Sequence, residues 1–302
     1  MADNTATVAQ LQSQSADKNR RSIGLWEDAA QRLMRNRLAM FGALVLAIIV
    51  IMGLFGPQIA PYDPNGMDFT ARFALPSLNH LMGTDDFGRD TFSRIIYGAR
   101  VSLMVGLVAV GLAATVGTTL GLVAGYSNRV VDEIIMRTMD VLYAFPAILL
   151  ALAILAALGR GVGNAMIAIG VVYIPIFARI TRGAVLTVRN EEFILAARTL
   201  GAGDIRILFQ HILPNVMAPV IVETTLSLAF AILAEAALSF FGLGTQPPDP
   251  SWGRMLSEGR SYFRQSIWMG IFPGVAIMLT VMGFNFLGDG LRDALDPRLK
   301  NV

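Results

Sequence analysis

Two glutamates interrupt an otherwise uncharged apolar stretch, and they are the first candidates for chemistry in this sequence. Glu223 and Glu235 both lie within Pro219–Leu243. An acidic side chain at the centre of a lipid-embedded helix costs roughly 2.5–3.5 kcal/mol, so each carboxyl group needs water or a polar partner. Glu235 lies deep in the stretch. It is interpreted either as a polar group on a path for a transported solute or as a hydrogen-bonding partner of a neighbouring helix.

An intramembrane enzyme would need two such carboxylates close together as acid and base. Glu223 and Glu235 are twelve residues apart, which places them about 18 Å apart along one helix. They cannot form a dyad within this chain. Arg137 and Asp140 open another apolar stretch and, being three residues apart, are predicted to pair on one helix face. Asp140 joins Glu223 and Glu235 as a possible substrate-path residue.

A cluster of three aspartates, Asp85, Asp86 and Asp90, has the composition of a cation site or of paired catalytic carboxylates. Two arginines, Arg89 and Arg94, alternate with these acids. We therefore favour a structural interpretation, in which Asp86 and Asp90 cap a helix and form ion pairs with the arginines.

Other cofactor sites have little support. The sequence has no cysteine, and its two histidines, His80 and His211, lie far apart with no ligand spacing around either. It also has no Gly-x4-Gly-Lys-Ser/Thr motif, so it cannot hold nucleotide phosphates in a P-loop. The net charge of +2 argues against nucleic acid as a partner.

Long apolar stretches must position these residues. Hydrophobic residues make up 54% of the chain and charged residues only 15%, against about 25% charged in soluble domains. Six stretches approach the roughly 20 residues that cross a hydrocarbon core. They are Leu38–Ile59, Val101–Ala124, Val141–Leu158, Val162–Ala178, Pro219–Leu243 and Ile267–Leu287. The sequence predicts an all-α integral membrane protein with a six-helix bundle. The fourth stretch is short, and is expected to tilt, to kink at Pro175 or to extend past Arg179.

The positive residues near the ends of these stretches predict the orientation. If the N-terminus is cytoplasmic, fifteen Lys and Arg residues fall on that side and eight on the other, with Arg137 left out. Both termini are therefore predicted in the cytoplasm. Residues 60–100 and 244–266 are then external loops, and residues 179–218 form the main cytoplasmic loop.

The remaining segments follow from composition and periodicity. Residues 1–22 are polar and are predicted to be a disordered cytoplasmic tail. Residues 23–37 have apolar positions at helical spacing and are predicted to lie on the inner membrane surface. Residues 38–59 are the first transmembrane helix, 101–288 the core with five more, and 289–302 a cytoplasmic tail. In the second stretch, Gly117, Gly121 and Gly125 recur every fourth residue and predict close helix packing.

Residues 187–218 within the core contain a predicted helical hairpin. Asn190 is the expected N-cap of its first helix and Gly201 the residue that ends it. A second helix is expected from Asp204 to Leu213, with Pro214 stopping it. One apolar face of the first helix is available to a partner protein; it consists of Phe193, Ala196, Ala197 and Leu200.

This hairpin resembles the EAA loop in the membrane subunits of bacterial ATP-binding-cassette (ABC) importers. The matching residues are Ala196-Ala197, Gly201 and Leu213-Pro214. Two positions depart from the pattern, because Leu195 stands in place of its Glu and His211 in place of its Ile. Three further blocks resemble the dipeptide and oligopeptide permeases of the second-subunit type. They begin at Gly83-Thr-Asp-Asp, Gly242-Leu-Gly and Gly288-Asp-Gly.

The resemblance implies a bundle of the type I ABC importer kind and a pore subunit that is not itself an enzyme. It implies a heterodimer with a related permease, two ATPase subunits that carry ATP and Mg, an external substrate-binding protein, and a peptide substrate. Nickel chelates, opines or glutathione are alternative substrates, and an ATP-independent channel is a rival class. The expected location is the bacterial cytoplasmic membrane. The residues expected to couple to the ATPase are Glu192, Ala196, Ala197, Arg198, Gly201, Ala202, His211, Leu213 and Pro214.

Overall fold

The computed structural model describes residues 25–295. The predicted tail over residues 1–22 and residues 296–302 of the predicted C-terminal tail lie outside them. Within 25–295 the secondary structure is helical, with no strand and one isolated bridge between Thr84 and Asp90. The helices are α1 Leu25–Arg35, α2 Arg37–Ile59, α3 Thr91–Tyr126, α4 Arg129–Tyr143, α5 Ala147–Leu158, α6 Val162–Val188, α7 Glu192–Thr199, α8 Asp204–Phe240, α9 Trp252–Ser261 and α10 Trp268–Leu295.

Five of these helices, α2, α3, α6, α8 and α10, are long and apolar enough to cross a membrane. A sixth span exists if α4 and α5 are counted as one broken span, because they meet at an angle of 92°. The expectation of a single helix over Val141–Leu158 is therefore wrong. The break falls at Ala144–Pro146, where the proline ring disfavours helical backbone in the residue before it.

Helices α3 and α6 form the closest helix pair, and small residues make it possible. A Cβ atom added to Gly121 would lie 2.5 Å from the carbonyl oxygen of Ala178, and one added to Gly117 would lie 2.6 Å from that of Ile174. At Gly125 it would meet the Val185 side chain at 2.7 Å. The predicted packing role of this glycine stripe is confirmed. Helix α6 also continues past Arg179 to Val188, with Pro175 inside it.

Two predicted helix ends in the hairpin of residues 187–218 are wrong. The N-cap of α7 is Glu191 and not Asn190. Pro214 does not stop the second helix, because α8 runs on through a π-helical segment, Ile207–Ile212, into Leu213–Phe240. The proline falls in the first turn of that last segment. In the π-helical segment before it the hydrogen bonds run five residues back, as from the Leu213 N–H to the Leu208 carbonyl oxygen, and the helix continues past the proline. Gly201 follows the end of α7 with a φ of +84°, which confirms it as the residue that ends this helix.

Residues outside the spans fold over one end of the bundle. The segment between α2 and α3 and the short helix α9 cover the N-terminal end of α3. Trp252, which opens α9, is fully buried there, and its indole Nε1 donates to the carbonyl oxygen of Ile95 at 3.0 Å. It locks α9 onto α3.

Candidate functional site: a cytoplasmic loop surface and the polar groups of the spans

Helix α7 is held against the bundle by a small apolar core. Ile194 is its one buried residue, and it meets Ile207 and Ile212 from the start of α8. All three isoleucines are fully buried against Val185 of α6 and Val216 of α8. The hairpin is therefore a packed unit continuous with two spans. Sequence reasoning placed the apolar face elsewhere, because α7 is too short for its periodicity to define one face.

The outer side of the hairpin exposes large apolar side chains, and we call it the loop surface. It consists of Phe193, Leu195, Leu200, Ile205 and Phe209, all of them exposed. Leu200 is 88% exposed and Ile205 76%. Exposed apolar residues of this kind occur at protein–protein and membrane interaction sites. The face predicted for a partner protein, which includes Phe193 and Leu200, is left open by the structure.

The residues expected to couple to an ATPase divide into two groups around this surface. The exposed group is Glu192, Ala196, Arg198, Gly201 and Pro214, and the half-buried group is Ala197, Ala202, His211 and Leu213. The half-buried residues lie where the hairpin meets the rest of the chain. The exposed ones can be reached by a partner.

The end of α3 contacts both helices of the hairpin, a connection that sequence reasoning missed. The Tyr126 hydroxyl donates to Asp204 Oδ1 at 2.5 Å, and the Arg198 guanidinium lies over the Tyr126 ring, 5.4 Å from its centroid. Tyr126 lies far from Arg198 and Asp204 in the sequence. No local spacing pattern links them.

Helix α8 connects the loop surface to the membrane interior without a break. It contains 37 residues, from Asp204 to Phe240, and therefore extends for about 55 Å. Ile205 and Phe209 lie at its N-terminal end, and Glu223 and Glu235 lie further along it. Both glutamates therefore lie on the same continuous helix as two residues of the loop surface.

The carboxyl group of Glu235 is satisfied entirely by neighbouring hydroxyl groups. Glu235 is 1% exposed. Its Oε1 accepts a hydrogen bond from Ser239 at 2.7 Å, and its Oε2 accepts one from Ser102 of α3 at 3.2 Å. Glu223 is half-buried and accepts from Ser227 at 2.9 Å. In this conformation Glu235 joins two spans and does not face water.

Asp140 pairs with a different arginine from the one predicted. Its carboxylate lies 2.8 Å from Nη2 of Arg179 on α6, whereas Arg137 lies 4.0 Å from Glu133. The predicted Arg137–Asp140 pair is wrong, because the side chain of Asp140 points across to α6. A second bridge joins the same helices, since the Arg182 guanidinium binds both oxygens of Asp132 at 2.5 and 2.6 Å. The outer face of α4 is exposed and carries charges of both signs.

The aspartate cluster between α2 and α3 is an ion-pair network. Asp85 is its centre, with its Oδ2 2.6 Å from Arg89 Nε and 3.5 Å from Arg94 Nε. Arg89 and Arg94 also lie 3.5 Å from Glu258 of α9. The network thus joins the external segment, α3 and α9. Among residues 25–295 no three acidic, histidine or cysteine side chains come together in a way that could hold a metal ion.

Within residues 25–295, Asp86 and Asp90 each take only one of the two roles predicted for them, because Asp90 caps a helix but pairs with no arginine, and Asp86 pairs with Arg89 but caps no helix. Asp90 caps α3 by accepting from the Ser93 backbone N–H at 2.8 Å, and it also contacts His80 Nδ1 at 3.0 Å. Asp86 lies 3.6 Å from Arg89 Nη2 and caps no helix. Burial raises the pKa of the Asp86 carboxyl group, and the charge of Asp85 raises it further.

Two family models match the chain. One, described as "Binding-protein-dependent transport system inner membrane component", matches residues 117–301. The other, described as "N-terminal TM domain of oligopeptide transport permease C", matches residues 24–76. The first match covers the hairpin and the spans on either side of it.

Similar proteins have names that refer to peptide transport. The dipeptide transport system permease protein DppC of Alkalihalophilus pseudofirmus is 49% identical over 280 residues, which cover 93% of this chain and 92% of the relative. The di/tripeptide permease DppC of Pseudomonas aeruginosa is 47% identical, with 90% and 92% covered. The glutathione permease GsiD of Escherichia coli O6:K15:H31 is 46% identical, with 91% of each covered.

A solved structure has the same fold. A chain from an inward-facing crystal form of the MetNI methionine ABC transporter superposes with a TM-score of 0.57 and 18% identity. The superposition covers 67% of this chain and 96% of that one.

Proposed function

The chain belongs to the family of binding-protein-dependent transport system inner membrane components, and on that premise we propose that it is a pore-forming subunit of an ATP-driven importer of di- and oligopeptides. Relatives of 47–49% identity over at least nine-tenths of this chain are named as dipeptide or di/tripeptide permeases. Glutathione is the second candidate substrate, because a relative of 46% identity is named for it.

The complete transporter contains further subunits in this proposal. A second, related permease completes the pore, two ATPase subunits bind ATP and Mg, and an external binding protein delivers the peptide. Support comes from the family description, which names dependence on a binding protein, and from the absence of a P-loop motif in the sequence. The complex lies in the bacterial cytoplasmic membrane with both termini of this chain in the cytoplasm, as the distribution of Lys and Arg favours.

The loop surface docks on the ATPase and transmits its movement. The observation that carries this step is the continuity of α8, which has exposed Ile205 and Phe209 at one end and crosses the membrane at the other. When the ATPase pair closes on ATP, α7 and the start of α8 move with it. The Tyr126–Asp204 hydrogen bond and the buried isoleucines hold the hairpin against the spans, so the hairpin cannot move without them. The spans must then tilt.

Charged groups on α4 and α6 face the peptide path. Asp140 and Arg179 are both exposed, and a peptide carries an ammonium and a carboxylate group that can each find an opposite charge there. Glu223 is half-buried and lies along the same path. Glu235 acts instead as a hydrogen-bonding group between α3 and α8, because its carboxyl group is already saturated.

Cysteine cross-linking tests the docking step. Leu200→Cys and Ala197→Cys should each cross-link to an ATPase subunit in membranes that contain the assembled transporter, and ATP should change the yield. Arg160→Cys is a control at the opposite end of the bundle and should give no such product. Failure to cross-link at any position along residues 192–204, with the complex intact, would contradict the proposal.

A further inference from the structure

A groove on the side of the bundle has no place in the transport mechanism described above. It has a volume of about 530 Å³ and lies between α2, α3, α8 and α10. Its walls are apolar side chains except for one arginine, Arg100 of α3. They comprise Val50, Gly53, Leu54, Arg100, Leu103, Met104, Leu107, Val108, Leu228, Ile232 and Phe284.

Arg100 lies at the outer mouth of this groove without a partner. It is exposed, and within residues 25–295 its guanidinium forms no ion pair or side-chain hydrogen bond. A Cβ atom added to Gly53 would lie 3.4 Å from the Arg100 Cα, so the two residues are at the same level. Gly53 precedes the end of α2 at Ile59 by six residues, or about 9 Å. From there a long arginine side chain reaches the headgroup layer.

The rest of the groove leads from Arg100 towards the middle of the bundle. Leu107 is seven residues further along α3, about 10 Å deeper. Leu107 and Val108 are both exposed, as is Leu54 on the facing wall. A peptide segment in such a groove would leave its backbone N–H and C=O groups without partners. An acyl chain has no polar group to satisfy.

We propose that this groove binds a phospholipid from the membrane leaflet opposite the loop surface, with an acyl chain between α2, α3 and α8 and the phosphate on Arg100. The positive charge of Arg100 has no counter-charge in the described part of the chain, so a lipid with net negative charge is preferred over a zwitterionic one. The site is separate from the loop surface and from the charged face of α4, and it involves neither ATPase docking nor the peptide path.

Native mass spectrometry of the purified heteromeric transporter tests the proposal, with phosphatidylglycerol or phosphatidylcholine of identical acyl chains added in mild detergent. Arg100→Gln should lower the fraction that retains phosphatidylglycerol about fivefold, the effect of one arginine near an anionic headgroup. Val108→Trp, which fills the groove, should lower retention of both lipids. Inorganic phosphate should not displace the lipid, since a free anion lacks the acyl chain.

Two control variants test whether the loss of lipid is specific to the groove. Arg160→Gln removes another exposed arginine from the same end of the bundle, and Val116→Trp adds the same bulk to an exposed valine of α3 away from the groove. Both should retain lipid as the wild type does. Equal retention by all four variants would overturn the proposal, as would an effect of Arg100→Gln without one of Val108→Trp. A photo-cross-linker at position 108 that labels the second permease instead of lipid would also overturn it, because the groove would then be a subunit interface.

Discussion

Glu235 is a buried acidic residue whose role could not be decided from the sequence. The sequence left two interpretations, a substrate contact and a hydrogen bond between helices, because both require a buried acid. Ser102 and Ser239 now occupy both carboxyl oxygens. A carboxyl group with its partners in place contributes to helix association, and its removal exposes two unsatisfied hydroxyl groups to an apolar interior.

Two substitutions of Glu235 distinguish the effect of losing its charge from the effect of losing its hydrogen bonds. Glu235→Gln keeps one acceptor oxygen and supplies an NH2 donor to which the other serine hydroxyl can turn its oxygen, and it should leave uptake of cationic, neutral and anionic peptides nearly unchanged. Glu235→Leu removes them and should destabilise the complex by about 1–3 kcal/mol, the typical penalty for unsatisfied buried polar groups. Thermal unfolding of the purified complex and uptake in vesicles measure the two effects. A change in peptide charge preference with Glu235→Gln would instead place Glu235 on the path.

The ion-pair network between α2 and α3 predicts different effects for its neighbouring aspartates. Asp85→Asn leaves buried Arg89 and Arg94 without their shared carboxylate and should destabilise by about 3–5 kcal/mol. Asp86→Asn should not, because burial raises the pKa of Asp86 and its ionised form is the one disfavoured in the folded state.

The pH dependence of the Asp86 variant follows from the same shift. A raised folded-state pKa means that the stabilising contribution of Asp86 is complete below its ordinary pKa of 3.8 and is lost as the pH rises through the folded-state pKa. The unfolding temperature of Asp86→Asn relative to wild type should therefore increase from acid to neutral pH. A relative unfolding temperature that falls over this range would contradict the assignment.

At the scale of elements, the contact between α3 and α6 is set by backbone approach. The four-residue glycine spacing is visible in the sequence, but the partner helix is not. The structure supplies α6, whose carbonyl oxygens and side chains fill the positions where Cβ atoms would lie. Packing of this kind replaces the hydrophobic driving force, which is weak between helices that already lie in lipid.

Two glycines of α3 make a matched pair for testing this contact. Gly121→Ala should destabilise the complex by about 1–3 kcal/mol, because the new methyl group would overpack the α6 backbone. Gly111 has no atom within 4 Å of an added Cβ, so Gly111→Ala should be neutral or stabilising by up to about 1 kcal/mol. Unfolding temperatures of the two variants in the same detergent provide the measurement. Equal losses at both positions would show that the stripe is not a tight contact.

In the molecule as a whole, part of the loop surface and one membrane span lie on one continuous helix, α8. The apolar loop surface lies at one end of α8, while the ion-pair network and buried Trp252 stiffen the opposite end of the bundle. A bundle that is fixed at one end and moved at the other tilts as a unit. This arrangement suits a subunit driven by a partner protein.

A charge placed on the loop surface should uncouple the transporter. Leu200→Glu should abolish peptide uptake while the fold and membrane insertion are retained, because a solvated carboxylate cannot enter an apolar docking site without a partner. Leu78→Glu is the control, since Leu78 is 97% exposed at the other end of the molecule. Uptake in vesicles and the recovery of ATPase subunits on purification are the readouts. Normal uptake by Leu200→Glu would remove the loop surface from the coupling mechanism.

Features that depend on local composition and spacing could be predicted from the sequence. Apolar stretches of membrane-spanning length, glycine at the left-handed position Gly201 and the four-residue glycine stripe each follow from one segment of chain. The hairpin residues and three further blocks also carried enough information to indicate the family. Helix ends were less predictable, as Pro214 shows, because a π-helical segment carries α8 past the proline.

Tertiary structure alone decided which distant groups meet. Asp140 pairs with Arg179 and not with Arg137, Asp204 binds Tyr126, and Trp252 is buried on α3. None of these contacts has a signature in sequence spacing, because a side chain selects its partner by the position of whole helices. The groove proposed to bind lipid was not visible in the sequence for the same reason, because its walls come from four helices. A role can be proposed for Arg100 only once its neighbours in the structure are known.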